Sequence, residues 1–142
     1  MLTLREARDQ SVAKLGAGPD GGLSHRWVTL WKLGPIPVGF PNSDSRRRAL
    51  PLHDLHHAIT GYGTDMRGEC EISAWELASG CSNFWFAWFI NLQGLFLGIA
   101  IAPLRTLRAW VRGRHSKNLY NDPSPMRHLD RPLCEVRGEF LR

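Results

Sequence analysis

Cysteine is scarce in this chain: Cys70, Cys81 and Cys134 are the only three, and no two of them form a CxxC pair. An odd number without that spacing suggests neither a disulfide framework nor a thiolate zinc site, so a reducing compartment is expected. A secretory signal is also missing, because MLTLREARDQSVAKL mixes Glu6 and Asp9 with Arg5, Arg8 and Lys14 and has no apolar core. Cytoplasmic residence follows. No internal repeat, low-complexity tract, nucleotide-binding loop or obvious nucleophile stands out. Charge itself is absent between Glu76 and Arg105.

What is present fits one domain, 1–142, long enough to bury a core without covalent staples. The net charge of +5 is uneven: residues 1–104 hold nine Lys/Arg and nine Asp/Glu, and 105–142 hold nine against four. A basic C-terminal quarter suits anionic lipid, a phosphorylated substrate or plain solvation. Nucleic acid is not expected, because no binding motif accompanies those basic residues and Trp110 and Tyr120 are nearly their only aromatic neighbours.

In chain order, Leu4, Ala7, Val12 and Leu15 recur at helical intervals, with Thr3 placed to cap and Glu6 three residues on. Glycines and Pro19 make 16–22 a loop. Trp27, Leu30 and Trp31 favour helix over strand for 23–33. Three prolines and two glycines in GPIPVGFPNSDS predict no regular element, and 34–48 is read as loop. Its end carries Arg46, Arg47 and Arg48, a run more often a wet surface than a phosphate clamp.

Residues 51–80, PLHDLHHAITGYGTDMRGECEISAWELASG, read as a helix-turn-helix unit. Pro51 suits a first turn, Gly61 a helix end, and a second helix runs from about Gly68 to Gly80. On the first helix His53 and His57 lie four apart and can aim two imidazoles at one point. Asp54, about 100° round the helix, could reach the same metal or orient a ligand. Glu69 follows His57 after eleven intervening residues and would bring a carboxylate from the second helix. Two nitrogens with carboxylate oxygens suit zinc, and accept iron or manganese. His56 points away and reads as a bystander; Glu71 and Glu76 read as exposed or paired. The HDxxH spacing also calls to mind HExxH peptidases, but Asp54 is too short a side chain for their general base.

Residues 82–112 read as one apolar, then basic, helix. FWFAWF places five aromatics in six positions, and Arg105, Arg108, Arg112 and Arg114 follow. A membrane span, a buried core helix and the wall of an apolar groove all fit this composition. Asn91, Gln93, Gly94, Gly98 and Pro103 weaken the span, and the groove wall is preferred.

The segment HDLHHAITGYGTDMRGECEISAWE resembles the signature of the ubiquinone biosynthesis proteins called Coq four, in HDxxH, in the later Glu69, and in Gly61 and the Gly68–Glu69 pair. The terminal RPLCEVRGEF, with Pro132, Glu135 and Arg137, is similar to the way many members end. Together these cover roughly a third of the chain. The resemblance implies an all-α, compact helical domain with a central apolar helix, often dimeric. It implies a divalent metal, usually zinc, on His53, Asp54, His57 and Glu69, which would also form the catalytic set. It implies oxidative decarboxylation of a prenylated hydroxybenzoate ring or, alternatively, non-catalytic binding of an isoprenoid lipid that organises other quinone-biosynthesis enzymes. The expected location is then peripheral on the inner membrane, the mitochondrial inner membrane on its matrix side in a eukaryote. The segment Phe84 to Leu104, with Trp85, Trp88, Phe89, Leu92 and Phe96, is the candidate wall for the prenyl tail. The 52 residues before His53 are fewer than family members commonly have, which leaves the native substrate open to another prenylated or aromatic metabolite.

Overall fold

A computed structural model of the chain describes residues 1–14, 26–33 and 35–141. Helix α1 (Leu4–Lys14) opens on the expected reciprocal cap: Thr3 N donates to Glu6 Oε2 at 2.8 Å and Glu6 N to Thr3 Oγ1 at 3.3 Å. The predicted loop at 16–22 lies outside the described residues.

A hairpin follows in place of the expected helix and loop, with β1 (Trp27–Leu33) antiparallel to β2 (Ile36–Pro41) and a register irregularity between Thr29 and Trp31. Two causes account for the difference. Val, Thr, Ile and aromatic residues are strand formers, and three apolar residues at helical spacing are too few to outweigh them. Prolines are excluded from central strands, yet a two-stranded ribbon consists only of edges and tolerates Pro37 and Pro41. Apart from this hairpin, the described domain is all-α.

Helix α2 (Asp44–Thr60) starts a full two turns earlier than Pro51 suggests. Ser43 caps it, its side chain accepting from Arg46 N at 3.2 Å, and Pro51 sits in the interior with no N–H for the Arg47 carbonyl. The helix ends as expected on Gly61, left-handed at φ 79°, whose N–H donates to His57 O at 2.9 Å. Asp65 caps α3 (Met66–Ser79) through Gly68 N, and Gly80 closes it.

The apolar and basic segments form two helices, α4 (Trp85–Ile101) and α5 (Pro103–Arg114), because Ala102 leaves helical geometry (φ −150°, ψ 56°) and Pro103 begins the second. Two 3-10 turns, Leu119–Asn121 and Pro125–His128, lead to α6 (Leu133–Phe140). The chain ends are tied by Leu4 N to Arg131 O at 3.1 Å and Leu133 N to Leu2 O at 2.9 Å.

The most enclosed helix is α3, whose Ile72, Ala74, Trp75 and Glu76 are fully buried. It packs against α4 and α5, while α1 and α6 pack on α2. Close approach to α4 requires small residues. A Cβ on Gly94 would collide with the Ser73 side chain, and one on Gly98 would stand 2.9 Å from Cys70 Cβ. Those glycines count against a membrane span in the sequence, and in the fold they are helix-packing points. No helix among the described residues is long and apolar enough to cross a membrane.

Candidate metal centre

Consecutive turns of α2 present His53 and His57 on one face, their ring centroids 4.8 Å apart and the rings near perpendicular at 88°. Their Nε2 atoms approach to 3.2 Å. From the first turn of α3, Glu69 reaches across, with Oε2 3.4 Å from His53 Nε2 and Oε1 3.3 Å from His57 Nε2. Zinc–nitrogen and zinc–oxygen bonds of about 2.0–2.2 Å at tetrahedral angles give ligand–ligand edges of about 3.3–3.5 Å. The Nε2–Nε2 separation lies close to that range, while the two Glu69 separations belong to its two different oxygens; with one ligand atom taken from each residue, the three lie within 4.8 Å of one another.

The far side of each ring fixes what the near side offers. His57 Nδ1 faces the Tyr62 carbonyl oxygen at 3.1 Å, and His53 Nδ1 faces Glu76 Oε1 at 2.9 Å. A carbonyl and a carboxylate only accept, so in their neutral forms both imidazoles carry the proton on Nδ1 and a lone pair on Nε2. Two nitrogen lone pairs and a carboxylate therefore converge. Their mutual repulsion is relieved by a cation, either a metal ion or a proton. Hydrogen bonding of a ligand histidine through its other nitrogen is the usual support of a metal site.

Glu76 is the hub of that support and is completely buried. Its Oε1 accepts from His53 Nδ1 and, at 2.6 Å, from His56 Nδ1. Its Oε2 accepts from Asn91 Nδ2 and, at 3.2 Å, from the Tyr120 hydroxyl. Four donors on one carboxylate are what burying its charge demands. Burial alone would raise its pKa, but the His53 charge and the hydrogen bonds from His53 and His56 hold it far below the usual carboxylate range. His56 is locked neutral: its Nε2 accepts from Leu119 N at 3.1 Å, and burial lowers its pKa.

The cluster carries carboxylate charge that a cation would balance. Burial disfavours the charged form of His53, yet Glu76 and Glu69 outweigh it and hold this imidazole well above its ordinary value. Glu69 is drawn down to about 2, burial opposing and both histidines prevailing. Without a metal, a proton on His53 is the cation that binds the cluster together. With one, Glu69, Glu76 and the nearby Asp54 supply the compensating negative charge.

The structure brings His53, His57 and Glu69 together, with their ligand atoms within 4.8 Å of one another, and leaves Asp54 outside the group. Asp54 is half-buried and its side chain makes no hydrogen bond among the described residues; burial raises its pKa against the pull of His53 and His57. Its offset round the helix keeps it off the face shared by the two histidines.

A cavity of about 260 Å³ opens beside the cluster, with His53, Glu69, Glu76 and Tyr120 at one part of its wall and Ala49, Leu50, Phe86, Ala87, Ile90 and Asn91 along the rest. Helix α4 is thus a wall of the cavity beside His53 and Glu69, but through a different face from the one expected. Trp85, Trp88, Phe89 and Leu92 gather with Trp110 around a separate shallow concavity, and Phe96 is 64% exposed. A helix apolar all round carries no periodicity from which inner and outer faces can be told apart.

His56, expected to be a bystander, is buried at the hub. Glu76, expected at the surface or paired, is paired four times over; Glu71 pairs with Arg105 Nη2 at 2.6 Å. Glu76 had a legible signal, since it lies seven residues, two helical turns, after Glu69 on the same face. Asn91 had a weaker one, as a polar residue inside an uncharged run. Tyr120 had none. Comparison with protein-family models, curated proteins and solved structures finds no match to this chain.

Proposed function

We propose that this chain is a metalloprotein of the quinone-biosynthesis type, in which His53, His57 and Glu69 hold a divalent metal beside an apolar cavity that takes a prenylated hydroxybenzoate-like substrate. The observation that carries the reading is the convergence of three electron-pair donors, two fixed from behind by Glu76 and the Tyr62 carbonyl, with His53 and Glu69 at the wall of that cavity. The resemblance of HDLHHAITGYGTDMRGE to the Coq four signature supports the same substrate class.

A bound divalent ion supplies Lewis acidity there, stabilising a phenolate and lowering the pKa of bound water. The chain's own residues do the rest. Glu76 holds His53 in the ligating tautomer, Phe86 and Ala87 exclude water from the ring, and Tyr120 and Asn91 keep Glu76 charged. The reaction we favour is loss of the ring carboxyl as CO2, with a proton taking its place or, in the oxidative version, a hydroxyl from water while dioxygen accepts two electrons and leaves as hydrogen peroxide. Zinc has no accessible redox couple, so the oxidative version fits iron or manganese better.

We also assign the exposed apolar face to a membrane surface. Phe96, Leu104, Leu107 and Val111 are more than half exposed, and Arg108 and Arg114 stand exposed beside them. No acidic residue lies between Glu76 and Asp122. An amphipathic helix with that pattern suits an anionic interface.

The test is metal analysis of the wild type beside His57→Ala and Glu69→Ala, with turnover measured on a carboxylated prenyl phenol. One metal per chain in the wild type, lost in both variants, is expected. Unchanged metal content in the variants would sink the ligand assignment. Metal loss without wild-type turnover, whichever metal is supplied, would favour a lipid-presenting assembly protein.

A further inference from the structure

The three consecutive arginines in the first turns of α2 do different things. Arg47 is exposed and 3.9 Å from Asp44; Arg48 is exposed and lies over the Phe84 ring at 5.7 Å. Arg46 is 9% exposed and lines the same cavity as His53 and Glu69. Its one side-chain hydrogen bond among the described residues goes from Nη1 to the Asn42 side-chain oxygen at 2.9 Å, a neutral acceptor. No carboxylate pairs with it among them.

A guanidinium stays charged in a protein, and a buried charge without a counterion is costly. Burial is indeed the force acting on Arg46, and it works against the charged form. Two helix ends add positive potential beside it, while the carboxylates of the same cavity, Glu69 and Glu76, are engaged by His53, His56 and His57. Phe86 N, in the first turn of α4, donates to Ser45 Oγ at 3.2 Å, so the N-terminal ends of α2 and α4 meet beside Arg46. Ala49, Leu50, Phe86 and Ile90 give the cavity between Arg46 and the metal cluster an apolar lining.

We infer that Arg46 is the anion-recognising residue of this cavity, and that the ligand is an amphipathic acid whose carboxylate or phosphate oxyanion sits on the Arg46 guanidinium while its apolar body lies along α4. The inference rests on the reading of the cavity as a ligand site. For a hydroxybenzoate ring with hydroxyl and carboxylate at opposite ends, Arg46 takes the carboxylate and the hydroxyl points to the metal cluster. Arg46 is then a specificity-determining residue.

The experiment measures binding of 3-prenyl-4-hydroxybenzoate, its methyl ester and hexyl monophosphate by calorimetry. It uses the wild type, Arg46→Gln and Arg46→Lys, each with zinc and after chelation. A hydrogen-bonded charge pair is worth about 1.5–3 kcal/mol, so the wild type is expected to prefer acid to ester by about 10- to 100-fold in both metal states. Arg46→Gln should lose that preference and Arg46→Lys keep part of it. Arg46-dependent binding of hexyl monophosphate would identify phosphate as the oxyanion.

Equal wild-type affinity for acid and ester together with no Arg46-dependent binding of the phosphate overturns the inference, as does an undiminished preference in Arg46→Gln. A preference that disappears on chelation and survives in Arg46→Gln places the oxyanion on the metal and also overturns it. Absence of saturable binding of any of the three compounds does the same. Failure of the metal reading is seen separately, in the zinc stoichiometry, which Arg46→Gln leaves at the wild-type value.

Discussion

Replacing Glu76 by Gln perturbs the acceptor arrangement with almost no change of shape. The two carboxylate oxygens accept from His53, His56, Asn91 and Tyr120. A glutamine offers one oxygen and one NH2 in their place. With the NH2 toward the histidines, His56 cannot adapt, because Leu119 N already donates to its Nε2. His53 would have to shift its proton to Nε2, the atom proposed to bind the metal. The amide oxygen therefore turns to the histidines, and the new NH2 meets the NH2 of Asn91.

One hydrogen bond breaks or Asn91 turns over, and both histidines lose an anionic acceptor for a neutral one. Bonds to charged groups contribute about 1.5–3 kcal/mol against about 1 kcal/mol for neutral ones. Removing a buried charge offsets part of that loss. The expected outcome is a metal-free protein less stable by about 1–3 kcal/mol. Zinc affinity should fall about 10- to 100-fold, because His53 becomes a weaker base and is held less firmly. Urea unfolding of the metal-free chain and competition with a chromophoric chelator at pH 7 measure the two quantities. Stability within about 0.5 kcal/mol of wild type, together with unchanged zinc affinity, would refute the role given to Glu76.

Three further outcomes follow from the same geometry. His53 has a raised folded pKa, so its contribution to the metal-free chain is fully present below its unfolded value and is lost as pH rises through the folded one. Zinc must displace that proton, so zinc affinity should rise with pH over the same window, with proton uptake by the buffer detectable calorimetrically; pH-independent affinity would contradict it. Phe96→Asp with Leu107→Asp should abolish sedimentation with anionic vesicles, leave the melting temperature unchanged, and match the effect of high salt in direction, whereas retained binding would move the contact elsewhere. Gly98→Ala places a methyl 2.9 Å from Cys70 Cβ and near Thr106 Oγ1, and overpacking of that kind should cost about 1–3 kcal/mol in chemical denaturation.

Much of the helical order was readable because local chemistry decides it. Thr3 and Glu6 announce the start of α1, and Gly61 and Gly80 stop α2 and α3. The start of α2 was misread because Pro51 is a good first-turn residue, and only packing shows that Ser43 caps the helix two turns earlier. The hairpin departs from the helix and loop expected there because three apolar residues are too few to establish a helical period, and strand propensity prevails.

The amino-acid sequence by itself determined that His53 and His57 share a face, since a 3.6-residue period leaves no other outcome, and that Glu69 opens the next helix. Tertiary structure decided the rest. The fold of α3 against α2 chose Glu69 and not Asp54 to close the trio, and buried Glu76 where His53, His56, Asn91 and Tyr120 meet. It also turned Phe86, Ala87 and Asn91 of a charge-free helix inward and left Trp85, Trp88, Phe89, Leu92 and Phe96 outside. The physical reason is one of range: periodicity and capping act within a few residues, whereas charge burial and hydrogen-bond satisfaction join positions 15 to 63 apart in the chain.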